Sequence, residues 1–336
     1  MRNPLSATLA AFGQRLNSGG AALALADEQR LDGRNCLVTG ASSGLGKALA
    51  IDLARRGARV LMACRSCIPA AGEEVAREAG SASVEMLPVD LADLGSVERL
   101  CDALRDRRER VDMLVLNAAV MPRRDRRTVQ GFEEMFQVNF LASVLITRRL
   151  LEDGVIPNRS LARAPAPGGG PTPRIVFVAS EVHRSAPPID PDHLGDYVEY
   201  GAITGMGQYA HTKLAVCTYA NALARRLRDG DQVDVAVHTI CPGPIASKLA
   251  REAPIWIKPV LAPAMRMFFA PPAVAAGPVA YLAASPEIEG ETALYLHRSE
   301  VVEPAESARD AERGDRVWQA ARALVERGRA ALDHHG

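Results

Sequence analysis

Lysine is scarce in this chain. The 336 residues contain four, Lys47, Lys213, Lys248 and Lys258, so arginine supplies nearly all of the positive charge. Net charge is also missing, because 40 basic residues balance 40 acidic ones. A protein without a positive excess has no overall attraction to nucleic acid, so no nucleic-acid partner is expected. No run approaches the ~20 consecutive apolar residues that a spanning helix needs. The six cysteines, at 36, 64, 67, 101, 217 and 241, fall mostly inside apolar stretches and lack the regular framework of a small secreted domain. A reducing, cytoplasmic compartment is the reading they support. Cys64-Arg65-Ser66-Cys67 has the form of a redox pair, yet it stands at a strand end where ordinary packing accounts for it. No second Cys pair and no His cluster stands at zinc-ligand spacing, and no metal is expected. His334 and His335 close the chain as a solvated pair.

With 48% apolar and 24% charged residues, the composition is that of a globular protein. Short β-rich apolar runs cover Asn35–Thr39, Arg59–Cys64, Ser83–Pro88, Val111–Asn117, Arg174–Ala179, Val233–Cys241 and Ala293–His297. Helical patterns alternate with them at 44–56, 93–109, 129–153, 207–229 and 272–284. This alternation predicts one doubly wound α/β domain of Rossmann type over 33–300, with a seven-stranded parallel sheet and its ligand crevice at the carboxyl ends of the strands. Residues 1–32 form an N-terminal extension. Its first 26 residues carry Leu5, Leu9, Phe12 and Leu16 at helical spacing. They read as an arm that packs or frays, with a weak targeting segment as the alternative. Residues 157–173, rich in proline and glycine, predict an exposed, mobile insertion. Residues 301–336 form a tail whose 305–330 pattern places Val317, Ala321, Leu324 and Val325 on one docking face.

The first strand runs through Thr39-Gly40-Ala41-Ser42-Ser43-Gly44-Leu45-Gly46 into a helix. A glycine turn in that position lets the backbone approach a pyrophosphate, and the free N–H groups and dipole of the helix start receive its charge. A tight turn without a ligand is the bland alternative. At the end of the second strand, where an acid would bind the ribose hydroxyls of NAD, the residues are Ala63-Cys64-Arg65. Arg65 offers a charge-assisted fork to a phosphate, which favours NADP(H). Asp90, followed by Leu91, is placed either at the adenine edge or as a helix cap.

Tyr209 and Lys213 are four apart at the start of a helical pattern and share one face. Chance would supply a Tyr-x-x-x-Lys somewhere in the chain with odds of roughly 0.07. An ammonium beside a phenol favours the phenolate and brings its pKa toward the working range. Ser180, at the end of the fifth strand, reaches the same rim and can hydrogen-bond a substrate oxygen.

The Thr39–Gly46 turn, Asp90, Asn117-Ala118-Ala119, Asn139, Ser180, Tyr209-x-x-x-Lys213 and Pro242-Gly243 stand in the order of the short-chain dehydrogenase/reductase family, which the chain resembles from about 33 to 300. The resemblance implies that Tyr209 is the general acid/base, that Lys213 holds the nicotinamide ribose and lowers the Tyr209 pKa, that Ser180 orients the carbonyl and that Asn139 holds a proton-relay water. It implies cofactor contacts from Gly40, Ser42, Ser43, Gly44, Leu45, Gly46, Arg65, Asp90, Leu91, Asn117, Ala118, Tyr209, Lys213, Pro242 and Gly243. Ala119 replaces the glycine of the family's Asn-Asn-Ala-Gly, and the insertion before Ser180 is long. Ala63-Cys64-Arg65, Ser180 followed by His183, and the Ser285–Gly290 stretch with Glu303-Pro304 and Trp318 resemble the retinol dehydrogenase branch, which implies a lipophilic substrate.

The segment 247–271, with Trp256, Ile257, Val260, Leu261, Met265, Met267, Phe268 and Phe269, would be the substrate lid by the same resemblance. Lys258 and Arg266 are its charges, and weak peripheral contact with an anionic membrane is an alternative role. The resemblance also implies a homodimer or homotetramer. Because cells keep NADP(H) reduced, carbonyl reduction is the expected direction. Two rival readings are reduction of a carbon-carbon double bond on a large pigment, as in the similar protochlorophyllide reductases, and a dinucleotide sensor without catalysis.

Overall fold

A computed structural model of the protein describes residues 23–164, 170–244 and 270–333. The N-terminal apolar positions, nearly all of the 247–271 segment and the His334–His335 pair lie outside the described residues.

Ten strands and eight helices are labelled in chain order. Strands β1 (Asn35–Thr39), β2 (Arg59–Cys64), β3 (Val84–Pro88), β4 (Met113–Leu116) and β5 (Arg174–Val178) alternate with α1 (Gly44–Arg55), α2 (Ala70–Ala79), α3 (Leu94–Asp106) and α4. The last of these runs through Glu134–Phe136, a π-helical turn at Gln137–Leu141, and Ala142–Glu152. Then come α5 (Gly205–Arg226), β6 (Arg228–Asp229), β7 (Gln232–Val233), β8 (Ala236–Cys241), α6 (Pro272–Ala284), β9 (Tyr295–His297), β10 (Glu300–Val302), α7 (Glu306–Arg309) and α8 (Ala311–Asp333).

The main sheet has the order β10-β9-β8-β5-β4-β1-β2-β3. Seven strands are parallel, as the uninterrupted apolar runs require of strands covered on both faces. The expected count of seven is short by one. Glu300–Val302 folds back antiparallel on Tyr295–His297 through a tight turn too short and polar to show a strand pattern. The predicted strand from Val233 is also divided. Gln232–Val233 pairs with Arg228–Asp229 in a separate hairpin, and the sheet strand starts at Ala236.

Alternation at period two sends neighbouring side chains to opposite cores. Leu37, Leu61, Leu114 and Ile175 face one, with α3, α4 and α5. Val38, Val60, Met113, Val115 and Val176 face the other, with α1 and α6. The strand order reverses between β1 and β4, which opens the crevice at Thr39 and Asn117.

The C-terminal helix docks as its pattern predicts, with Val317, Ala321, Leu324 and Val325 buried. Trp318 stacks on Tyr219 of α5, ring centres 5.0 Å apart, with Arg226 over its other side. The insertion is less free than its composition suggests. Asn158 is buried and donates to the carbonyls of Leu151 and Ile156, and its own side-chain oxygen accepts from Leu161 and Ala162. Asp234 accepts from the backbone of Arg159 and Ser160. Polar side chains thus pin the first half of a segment that hydrophobic periodicity leaves blank.

Candidate active site

Thr39 and Asn117 lock the two strands that border the crevice. The Thr39 hydroxyl accepts from the backbone N–H of Asn117 and Ala118, while the Asn117 amide donates to the Thr39 and Gly40 carbonyls. Gly46 faces this lock closely: a Cβ there would stand 2.5 Å from Asn117 Nδ2 and 2.7 Å from the Gly40 oxygen. Gly40 itself turns through φ +68°. Only glycine permits the turn and the approach together. Ser43 is the N-cap of α1, but its side chain makes no cap hydrogen bond, and no acid stands in the first turn. The amides that begin α1 are therefore left for an anion.

At the edge of the same crevice, Arg65 is largely exposed and its guanidinium lies 3.9 Å from Asp90. Asp90 does not cap the following helix. Its carboxylate accepts from the Ala92 N–H, and Asp93 caps α3 by accepting from Gly95. The N-cap alternative for Asp90 is thereby removed, because the helix begins four residues later than the acid. Leu91 is buried in the core beneath. These groups fit a nicotinamide dinucleotide: unclaimed amides and a backbone without side chains in its path, with Arg65 at the strand end.

Across the crevice, β5 ends at Val178 and delivers Ser180, which stands just ahead of a short 3-10 turn, Glu181–Ser185. α5 lies over that turn and presents Tyr209 beside the Ser180 side chain, which favours its phenolate. One turn further on, Lys213 is buried and donates from Nζ to the Val178 carbonyl at 2.8 Å. The three residues separated in sequence thus meet at one strand end.

The expected lowering of the Tyr209 pKa is not what the surroundings produce. Burial pushes the phenol up to about 12, with Cys241 adding to the rise and the Ser180 side chain opposing it. Burial also brings Lys213 down to about 8. The ammonium is directed to Val178, its nitrogen 5.6 Å from the centre of the Tyr209 ring, and desolvation prevails.

Asn139 lies in the π turn of α4, a distortion that places its side chain across to α5. Its oxygen accepts from the Val120 N–H, and its amide donates to the Val120 carbonyl and to Thr212 Oγ1. The whole carboxamide is engaged with protein, so it ties the segment after β4 to the helix turn that carries Tyr209. Pro242 and Gly243 follow β8 directly, on the same rim.

Two further residues of this neighbourhood hold the site's scaffold, in roles that the sequence did not assign them. Glu133, fully buried, caps α4 through the N–H groups of Met135 and Phe136 and also accepts from Tyr200 and Gln208, the latter beside Tyr209. A buried acid preceding a helix is the signal that could have found it. His183 is buried as well. Its Nδ1 lies 2.8 Å from the Ser180 carbonyl, and its Nε2 accepts from the Ala305 N–H, which fixes a neutral imidazole protonated at Nδ1. The tail is thereby joined to the serine turn.

All six cysteines are free, with Cys64 buried and Cys67 exposed. Among the described residues no helix is long and apolar enough to cross a membrane.

The sequence family described as short chain dehydrogenase matches residues 34–184. Dehydrogenase/reductase SDR family member 13 of Bos taurus is 34% identical over 88% of this chain and 74% of its own length. Retinol dehydrogenase 14 of Homo sapiens is 32% identical over 93% of this chain and 90% of its own. A crystal structure of a putative NAD(P) dependent gluconate 5-dehydrogenase from Beutenbergia cavernae, with bound NADP at low occupancy, shares 25% identity and a TM-score of 0.56 over 81% of this chain and 97% of that one. The crevice, the serine–tyrosine–lysine cluster at its rim and these relatives agree: the chain is an oxidoreductase that belongs to the short-chain dehydrogenase/reductase family, in its retinol dehydrogenase branch.

Proposed function

We propose that the protein is an NADP(H)-dependent reductase of hydrophobic carbonyl compounds of retinoid, steroid or polyketide character. The observation that carries the reading is the meeting of Tyr209 and Ser180 at the end of β5, one helical turn from the Lys213 ammonium held by Val178. The alkaline position of Tyr209 suits this direction, because a phenol that holds its proton at neutral pH acts as the acid. NADP(H), when bound, supplies the hydride. Tyr209 gives its proton to the carbonyl oxygen while the Ser180 hydroxyl holds that oxygen in line. Lys213 would hold the ribose next to the nicotinamide, and its charge would favour the phenolate that remains once Tyr209 has given up its proton. The first amides of α1 would receive the pyrophosphate and Arg65 the additional phosphate.

The hydrophobic substrate class rests on kinship with proteins named retinol dehydrogenases and on the apolar composition of 247–271. A panel of long-chain aldehydes, aromatic ketones and retinal, each followed by loss of NADPH absorbance, tests it. Turnover of the apolar members is the expected result, and turnover confined to small polar carbonyls would overturn it.

A further inference from the structure

Three adjacent parallel strands, β5, β8 and β9, end side by side, and each brings a metal-ligating residue to the rim. Glu181 follows β5, Cys241 ends β8 and His297 ends β9. One ligand atom from each lies within 4.8 Å of the other two. Glu181 Oε2 and His297 Nδ1 are 3.5 Å apart. Tetrahedral zinc with bonds of roughly 2.0–2.3 Å sets its ligands roughly 3.3–3.7 Å from one another. The carboxylate and imidazole thus already stand at a coordination edge, and the thiol needs to move by about 1 Å.

The surroundings of each ligand are those of a supported site. Burial pushes the Cys241 thiol up, a rise that a bound cation would reverse, and its sulfur is held in place by accepting the backbone N–H of Glu181 at 3.1 Å. Glu181 divides its oxygens: Oε1 receives Arg184, and Oε2 faces His297 with the Tyr295 hydroxyl 3.4 Å away. Outer partners of this kind orient a ligating carboxylate. Of the cations beside the cluster, Arg184 is held by Oε1 and Lys213 by the Val178 carbonyl. His297 is about one-third exposed, so a cation has a route in from solvent. Sulfur, nitrogen and oxygen together select a borderline divalent ion over magnesium or calcium.

We propose that Glu181, Cys241 and His297 form a binding site for Zn²⁺ with its fourth position open to the crevice. This departs from the expectation of no metal, which linear spacing alone supports because the three ligands come from separate strands. Bound metal would join the Ser180 turn to β8 and set positive charge beside Tyr209, so Zn²⁺ slows turnover. That consequence rests on the reductase reading, whereas binding does not.

Cobalt(II) titration of the full chain under reducing, chelator-free conditions tests the site without an activity assay. One Co²⁺ per chain is expected, with a near-ultraviolet thiolate-to-cobalt band that Zn²⁺ abolishes. Cys241→Ser should remove the band, and His297→Gln, at an accessible position, should weaken binding at least tenfold. A variant lacking Cys67, His334 and His335 should keep both band and affinity. Absence of the band in the unmodified chain, its persistence in Cys241→Ser, or unchanged affinity in His297→Gln would each overturn the proposal. Should Cys241→Ser fail to fold, His297→Gln decides alone. Turnover inhibited by Zn²⁺ in the unmodified chain but not in His297→Gln would establish the consequence separately.

Discussion

Lys213 donates to the Val178 carbonyl at 2.8 Å, at the strand end that delivers Ser180. A buried ammonium held by one carbonyl is costly. Its pKa, brought from 10.5 to about 8 by desolvation, corresponds to a penalty on the order of 3 kcal/mol. The folded chain releases this proton near pH 8 and the unfolded chain near 10.5, so between those values the unfolded state binds more protons and stability rises with pH. Lys213→Met removes the penalty and leaves the Val178 oxygen unpaired at a cost of about 1–3 kcal/mol. The variant should therefore unfold at an equal or higher temperature below pH 8 while losing turnover. A drop in the melting temperature of more than ~3 °C would contradict this account.

Tyr209 should give the two directions of reaction opposite pH behaviour. With its pKa near 12, the phenol stays protonated throughout the neutral range, so reduction should be level between pH 6 and 8. Oxidation of the alcohol needs the phenolate and should accelerate as pH rises. Initial rates in both directions at saturating cofactor check the pair, and oxidation that slows from pH 7 to 9 would count against the assignment.

Arg65 separates the two cofactors. Its side chain is 63% exposed, and a charge-assisted contact to phosphate in that setting is worth about 1.5–3 kcal/mol at the upper end. Arg65→Ala should weaken NADPH binding by about tenfold and leave NADH binding nearly unchanged. Fluorescence titration with both cofactors distinguishes this from equal losses, which would remove Arg65 from the phosphate site.

Trp318 anchors the tail. It stacks on Tyr219, packs under Arg226 and is 7% exposed. Trp318→Ala should cost about 3–5 kcal/mol by denaturant unfolding, as for other large aromatics removed from a core. A loss below 1 kcal/mol would mean that α8 contributes little to the fold.

The α/β alternation, the glycine turn and the Tyr209–Lys213 spacing were legible in the sequence because each depends on local periodicity or on residues a few positions apart. The reading failed where partners are distant. The antiparallel β10 depends on pairing with Tyr295–His297 rather than on its own three residues. Asp90 and Asp93 look alike as helix caps in sequence, and only the start of α3 at Leu94 distinguishes them. The order of Ser180, Tyr209 and Lys213 indicated a shared site, but not that Lys213 turns to Val178 and that burial outweighs it at Tyr209. Likewise His183 and Glu133 work through Ala305, Tyr200 and Gln208, contacts that no spacing reveals.

The most direct test of proton transfer is Tyr209→Phe, which keeps the ring and removes the hydroxyl beside Ser180. With NADPH and a hydrophobic aldehyde, turnover should fall by about 10²–10⁴-fold while NADPH binding, followed by fluorescence, changes little. Turnover within about threefold of the unmodified chain would contradict the role assigned to Tyr209.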